Sequence, residues 1–331
     1  MAKTKLKLKK KFKKRLIIFV FILIASIIGI KSYKTYKYHQ TYEYKLLEKN
    51  YTKEETNLLL EKLDKTKIEE LLTTEKNEKL INILKQKYFL IKNLDKYLEY
   101  SDKNSDLDLQ EVVALVNVHR DKDYYDDMEE TNTSLGNIML VNKYNALSKD
   151  YEVENLTNIS KTYSYGDNKK LNKEAYEAFI DLAEDAKKEG YTILIVSSYR
   201  SYKDQEDVWK DYKTSFGTRK ADAYAARAGS SEHETGLAID VADYYDENDK
   251  FEDTDSFKWM QANAHKYGYI LRYPKGKENI TGYSYEAWHY RYVGIETATK
   301  VYNEGITYDE YYEYYLKKWV SNSLFICSHF K

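Results

Sequence analysis

The sequence predicts an α+β fold with a small mixed or antiparallel sheet flanked by helices, preceded by an N-terminal transmembrane helix and a helical stalk. Three features predict it: a basic flank running into an apolar stretch, a Leu-, Lys- and Glu-rich region with helical spacing, and a remainder mixing helix and strand patterns without βαβ regularity. At 331 residues the chain has room for one domain of ordinary size and an accessory segment.

Residues 1–15 hold nine of the 53 Lys and Arg and none of the 54 acids, which marks a cytoplasmic basic segment. Leu16 to Ile30 follows, interrupted only by Ser26 and Gly29. Fifteen apolar residues are short for a bilayer core, and Lys14, Arg15 and Lys31 extend the span by snorkelling, with Ser32 and Tyr33 at the interface. A signal peptide has the same opening, yet no small-x-small cleavage site follows Ile30. The expectation is a retained signal anchor over 16–33, single-pass, with the N-terminus cytoplasmic and the rest exported to the outside of the cell membrane. After the basic flank, 44 Lys and Arg face 54 acids. That balance speaks against nucleic acid as a partner.

Residues 34–105 read as a helical stalk, with apolar clusters at Leu58 to Leu60 and Leu63, at Ile68, Leu71 and Leu72, and at Leu80, Ile81 and Leu84. Thr52 with Glu55 three residues on is a capping-box signature. No chemistry is assigned there. The principal domain is expected over 106–320 and a tail over 321–331, where Cys327, the single cysteine, has no partner for an internal disulfide.

Within that domain Val112 to Val118 and Ile138 to Asn142 are β-rich runs around a polar stretch, expected to pair as a hairpin or domain edge. Lys173 to Lys188 places Ala175, Phe179, Leu182 and Ala186 on one helical face before Gly190, and Tyr191 to Val196 reads as a buried strand. Further helices are expected near 202–213, 256–267, 295–304 and 308–318, and strands at 237–242 and 287–293.

The residues that carry chemistry fall in three runs. In Ser231-Glu-His233-Glu-Thr-Gly236-Leu-Ala-Ile-Asp240-Val, a strand from Leu237 sends Leu237, Ile239 and Val241 to one face and Ala238 and Asp240 to the other. Gly236 permits the tight turn that returns His233 toward Asp240. A neutral nitrogen and an anionic oxygen suit zinc. The third ligand is expected from Glu286-Ala-Trp288-His289-Tyr-Arg291, since His39, His119, His265 and His329 stand outside any motif. His233, Asp240 and His289 leave one tetrahedral position open, as a catalytic Zn2+ requires, one ion per chain. Glu286, three residues before His289, is placed to act as general base. The third run, Ser197-Ser-Tyr-Arg200-Ser-Tyr-Lys-Asp-Gln205, lies where a strand gives way to a helix. Arg200 offers a fork of donors for a free carboxylate, with Gln205 facing inward beside it. An internal ion pair for Arg200 and loop carbonyls for Gln205 stay open as structural roles. Arg227 and Ser231 are further candidates for substrate contact. No Gly-x-Ser-x-Gly elbow occurs, which disfavours a serine mechanism.

These runs resemble the VanY-like D-alanyl-D-alanine carboxypeptidases and their L,D-carboxypeptidase relatives, in the superfamily that includes the lysostaphin-type enzymes and the hedgehog signalling domain. The likeness covers about Leu140 to Gly305, beginning at Leu140-Val-Asn142-Lys143. It departs at Ala146, where the family has proline, and at Arg227-Ala228-Gly229, where relatives often have Arg-Pro-Gly. It implies the hedgehog and D,D-peptidase zinc-peptidase fold, zinc on His233, Asp240 and His289, Glu286 as base, and Arg200 holding or polarising substrate. The expected substrate is the peptidoglycan stem peptide, cut at its terminal D-Ala. An L,D-carboxypeptidase, an endopeptidase and a non-catalytic zinc-stabilised wall-binding module are the alternatives.

Overall fold

The computed structural model of the chain describes residues 2–243 and 251–317, with residues 2–11 as backbone only. The chain divides into two compact units, Met1–Leu98 and Glu99–Lys331.

The first unit opens with a helix, Ala2–His39, of which Phe12–His39 is long and apolar enough to cross a membrane. Short helices follow at Tyr42–Glu48, Lys53–Lys62, Lys65–Thr73 and Glu78–Leu84, and they bury Leu46, Leu59, Ile68 and Ile83. Each begins with a side chain accepting a backbone N–H: Thr41, Thr52, Asp64 and Asn77. Helices this short are marginal alone, so the caps and the shared core hold them together. The Thr52–Glu55 capping box is closed in both directions.

In the second unit two short strand pairs precede the main sheet. β1 (Glu129–Glu130) pairs in parallel with β2 (Asn145–Ala146), and β3 (Leu156–Asn158) pairs antiparallel with β4 (Lys170–Asn172). The main sheet has four antiparallel strands in the order β5 (Leu194–Ser197), β6 (Ala238–Ala242), β8 (His289–Tyr292), β7 (Tyr269–Leu271). Helix Lys173–Lys188 packs on one face through Ala175, Phe179, Leu182 and Ala186, all buried, which is the stripe the sequence predicts. Ile239 and Val241 of β6 and Tyr290 and Tyr292 of β8 meet the same core. The period of two then sends Asp240, His289 and Arg291 to the opposite face. Helix Ile295–Glu304 has the expected bounds, and Tyr202–Phe216 and Asp255–Asn263 lie where helices were expected.

The hairpin of Val112 to Val118 with Ile138 to Asn142 does not form. Leu109–Asn117 is a helix, capped by Asp108 accepting from Glu111 N–H, with Val112 through Asn117 all buried. Burial on every side and a strong N-cap outweigh the modest strand preference of four valines. Ile138 instead ends a 3₁₀ segment, Thr133–Ile138, and the next residues run irregularly. Side chains replace a strand partner there: Arg291 Nη2 donates to the Asn137 and Met139 carbonyls, and Thr131 Oγ1 to that of Leu140. The helix expected over 308–318 is Tyr308–Tyr311 continuing as a π-turn over Tyr312–Leu316. Its last residue and the tail at 321–331 with Cys327 lie outside the described residues.

Candidate metal centre and active site

Asp240 and His289 are register partners across β6 and β8, so their side chains leave the sheet side by side. His289 Nδ1 stands 3.0 Å from Asp240 Oδ1. His233 arrives from the 3₁₀ turn Glu232–Thr235, which Gly236 ends at φ 68°. A Cβ on Gly236 would lie 2.9 Å from Val153 Cγ1, so both backbone shape and space require glycine. This turn brings His233 Nε2 to 3.4 Å from Asp240 Oδ2. One ligand atom from each of His233, Asp240 and His289 lies within 4.8 Å of the others.

The second nitrogen of each imidazole already faces an acceptor. His233 Nδ1 lies 2.8 Å from the Ser198 carbonyl oxygen, and His289 Nε2 lies 3.4 Å from Glu232 Oε2. In the neutral, ligating form of each ring, with its single proton directed there, the bare lone pairs are those of His233 Nε2 and His289 Nδ1, both turned toward Asp240. Two imidazole nitrogens and a carboxylate of this kind fit zinc.

The electrostatics agree with a cation at that point. Burial works against protonation of His289, but hydrogen bonds with Asp240 and Glu232 outweigh it and push its pKa up to about 9. The site therefore draws in a positive charge. Burial and the nearby Arg200 push His233 the other way, down to about 4, leaving it neutral and able to ligate. Burial also raises Glu286 to about 7, with the Asp240 charge adding to the effect and His289 and Arg200 opposing it. Glu286 Oε2 is 3.8 Å from His289 Nδ1, so its carboxylate borders the group without belonging to the triad.

The cavity over this group is also lined by Arg200, Gln205, Ser231 and Trp288. Arg200 directly precedes Ser201, which caps helix Tyr202–Phe216 in a box with Asp204. Its Nε is buried without a hydrogen-bond partner. Gln205 is buried, its Nε2 donating to the Ala226 carbonyl at 2.7 Å while Oε1 has no partner.

The family model for VanY, D-alanyl-D-alanine carboxypeptidase, matches residues 168–295. YodJ of Bacillus subtilis (strain 168) is 40% identical over 202 residues, which cover 57% of this chain and 74% of that protein. A D-alanyl-D-alanine carboxypeptidase of Enterococcus faecium is 31% identical over 240 residues, 66% of this chain and 75% of that one. The chain belongs to the VanY family. It is a peptidase of the carboxypeptidase type, as its homologues are named. Among solved structures, the LD-carboxypeptidase LdcB matches with a TM-score of 0.54 and 39% identity, covering 57% of this chain and 91% of that one.

Not every residue singled out in this VanY-family sequence reaches the cavity. Arg227 lies outside its lining; both its Nε and Nη2 donate to the Asp222 carboxylate, at 2.9 and 2.8 Å, and its guanidinium stacks over Tyr125 and Trp209. Conversely, Glu232 is not among the site residues expected from the sequence, yet it is buried against His289 and joined to Arg272 and Arg291. An acid between Ser231 and His233 reads as one more charge in a polar run. The available signal was Arg291 in the same motif as His289, a cation that needs an anion if buried.

Proposed function

We propose that the chain is a zinc-dependent D-alanyl-D-alanine carboxypeptidase that removes the C-terminal D-Ala from peptidoglycan stem peptides. The convergence of His233, Asp240 and His289 beside Glu286, in a cavity also lined by Arg200, carries this reading. His233, Asp240 and His289 would hold the ion. Bound there, zinc would polarise the scissile carbonyl and acidify water at neutral pH.

The remaining roles fall to side chains of the chain itself. Glu286 takes the proton of the attacking water and hands it to the leaving amine, a task suited to a carboxyl whose pKa lies near 7. Arg200, which lines the cavity and whose Nε has no hydrogen-bond partner in the protein, pairs with the free carboxylate of the terminal D-Ala. Gln205 Oε1 accepts an N–H of the substrate, and Ser231 contributes to the wall. Arg227 acts on substrate only indirectly, by holding Asp222 and the loop around it.

The helix Phe12–His39 serves as a retained single-pass anchor, with the basic N-terminus in the cytoplasm and the peptidase domain outside. The peptidoglycan of the cell wall is then within reach of the domain.

A second reading, cleavage of tetrapeptides as an L,D-carboxypeptidase, is favoured by the match to LdcB. Incubating the protein with stem peptides of three, four and five residues and identifying the products separates the two. Loss of one D-Ala from the pentapeptide alone supports the first reading, loss from the tetrapeptide supports the second, and no cleavage of any peptide contradicts both.

A further inference from the structure

Behind His289, on the side away from Asp240, four charged side chains are packed together: Glu232, Arg272, Arg291 and Asp309, each exposed by 2% or less. Two anions and two cations balance, which is the condition for keeping any of them buried. The reaction as described uses none of them.

Resting on the zinc site proposed above, we propose that Glu232 is a positioning residue that orients His289 toward the metal, and that the two arginines hold Glu232 in the pose this requires. The carboxylate divides its oxygens. Oε1 takes Arg272 Nε at 2.7 Å and Arg291 Nη1 at 3.0 Å, while Oε2 is left to His289 Nε2 at 3.4 Å. A neutral imidazole carries one N–H. Directed at Oε2, it leaves the Nδ1 lone pair facing Asp240.

The arginines are themselves anchored at their far ends. Arg272 reaches Asp309 with Nη1 at 2.6 Å and Nη2 at 3.2 Å, and Asp309 Oδ1 also accepts from Asn142 Nδ2 at 2.8 Å. Asn142 Oδ1 in turn accepts the N–H groups of Tyr144 and Asn145. Arg291 Nη2 is fixed by the carbonyls of Asn137 and Met139. A continuous path thus runs from Asn142 through Asp309, Arg272 and Glu232 to His289. It gives a task to the Leu140-Val-Asn142-Lys143 segment, far from the ligands in sequence. Outer partners of this kind typically change metal affinity 10- to 100-fold.

The test uses the full-length chain in detergent and reads zinc affinity by competition with a chelator, alongside the melting temperature of the metal-free protein. Glu232→Gln keeps an acceptor for the arginines but turns an amide N–H toward His289 Nε2, which favours the wrong tautomer. We expect zinc affinity to fall about 10- to 100-fold in the folded variant. An affinity within threefold of the unaltered chain, even with a lowered melting temperature, makes the cluster merely structural and overturns the inference. A second measurement needs no variant: in the chain loaded with cadmium-113 and labelled with nitrogen-15 histidine, scalar coupling should reach His289 Nδ1 and His233 Nε2. Coupling through His289 Nε2 overturns the inference and leaves the zinc site standing. Failure of the unaltered chain to bind zinc at all removes the site itself, and the inference with it.

Discussion

His289 Nδ1 and Asp240 Oδ1 lie 3.0 Å apart because residues 240 and 289 face each other on neighbouring antiparallel strands. The sheet sets this distance, and a one-residue slip in register would turn one of the two side chains into the core. Sites carried on strands are held more tightly than sites on loops. His233 alone depends on a turn, and Gly236 fixes that turn.

Glu286→Gln should keep the metal and lose the chemistry. The amide is close in size and sits outside the triad. A base of this kind contributes about 10²- to 10⁴-fold, so kcat should fall by that much while zinc content by elemental analysis stays at one per chain. Unchanged kcat would show that another group moves the proton.

Arg200→Met should raise KM and lower kcat/KM for a peptide with a free C-terminus. A hydrogen bond to a charged group contributes about 1.5–3 kcal/mol, which corresponds to roughly 10- to 150-fold. The loss should shrink for the same peptide ending in an amide. Equal losses on both substrates would assign Arg200 to the fold rather than to the carboxylate.

Zinc binding should release about one proton near pH 7. In the metal-free protein His289 holds its proton up to about pH 9, whereas His233, lowered to about 4, is already neutral. The metal must displace the His289 proton, so zinc affinity should rise with pH, about tenfold per unit, and level off above about 9. Calorimetry in buffers of different ionisation enthalpy reads the proton count. Release of no proton would contradict the charge state deduced for His289.

Phe179→Ala should destabilise the peptidase domain by about 3–5 kcal/mol without altering the site directly, since Phe179 is fully buried under the face of the sheet opposite Asp240. Denaturant unfolding of the metal-free protein measures this. A change below about 1 kcal/mol would mean the packing beneath the sheet is looser than described.

Much of this was legible in the sequence, for identifiable reasons. Alternation along Leu237 to Val241 separated the core face from the side bearing Asp240, and four apolar positions at helical spacing marked Lys173–Lys188. Val112 to Val118 misled because β-branched residues suggest a strand when burial is unknown. Yet Asp108 and Glu111, three apart, already spelled a helix start. β7 covers only Tyr269–Leu271, too short for a period to show. The role of Glu232 was hidden for a different reason. Its partners Arg272 and Arg291 lie 40 and 59 positions away, and only the folded chain brings them together.

The decisive measurement is the release of D-alanine from a stem pentapeptide by the 331-residue chain, taken after stripping with a chelator and again after adding one equivalent of zinc. A zinc enzyme built on His233, Asp240 and His289 should give no release when stripped, full release on restoration, and none from His289→Ala under either condition. Release that survives both chelation and the His289→Ala substitution would rule that enzyme out.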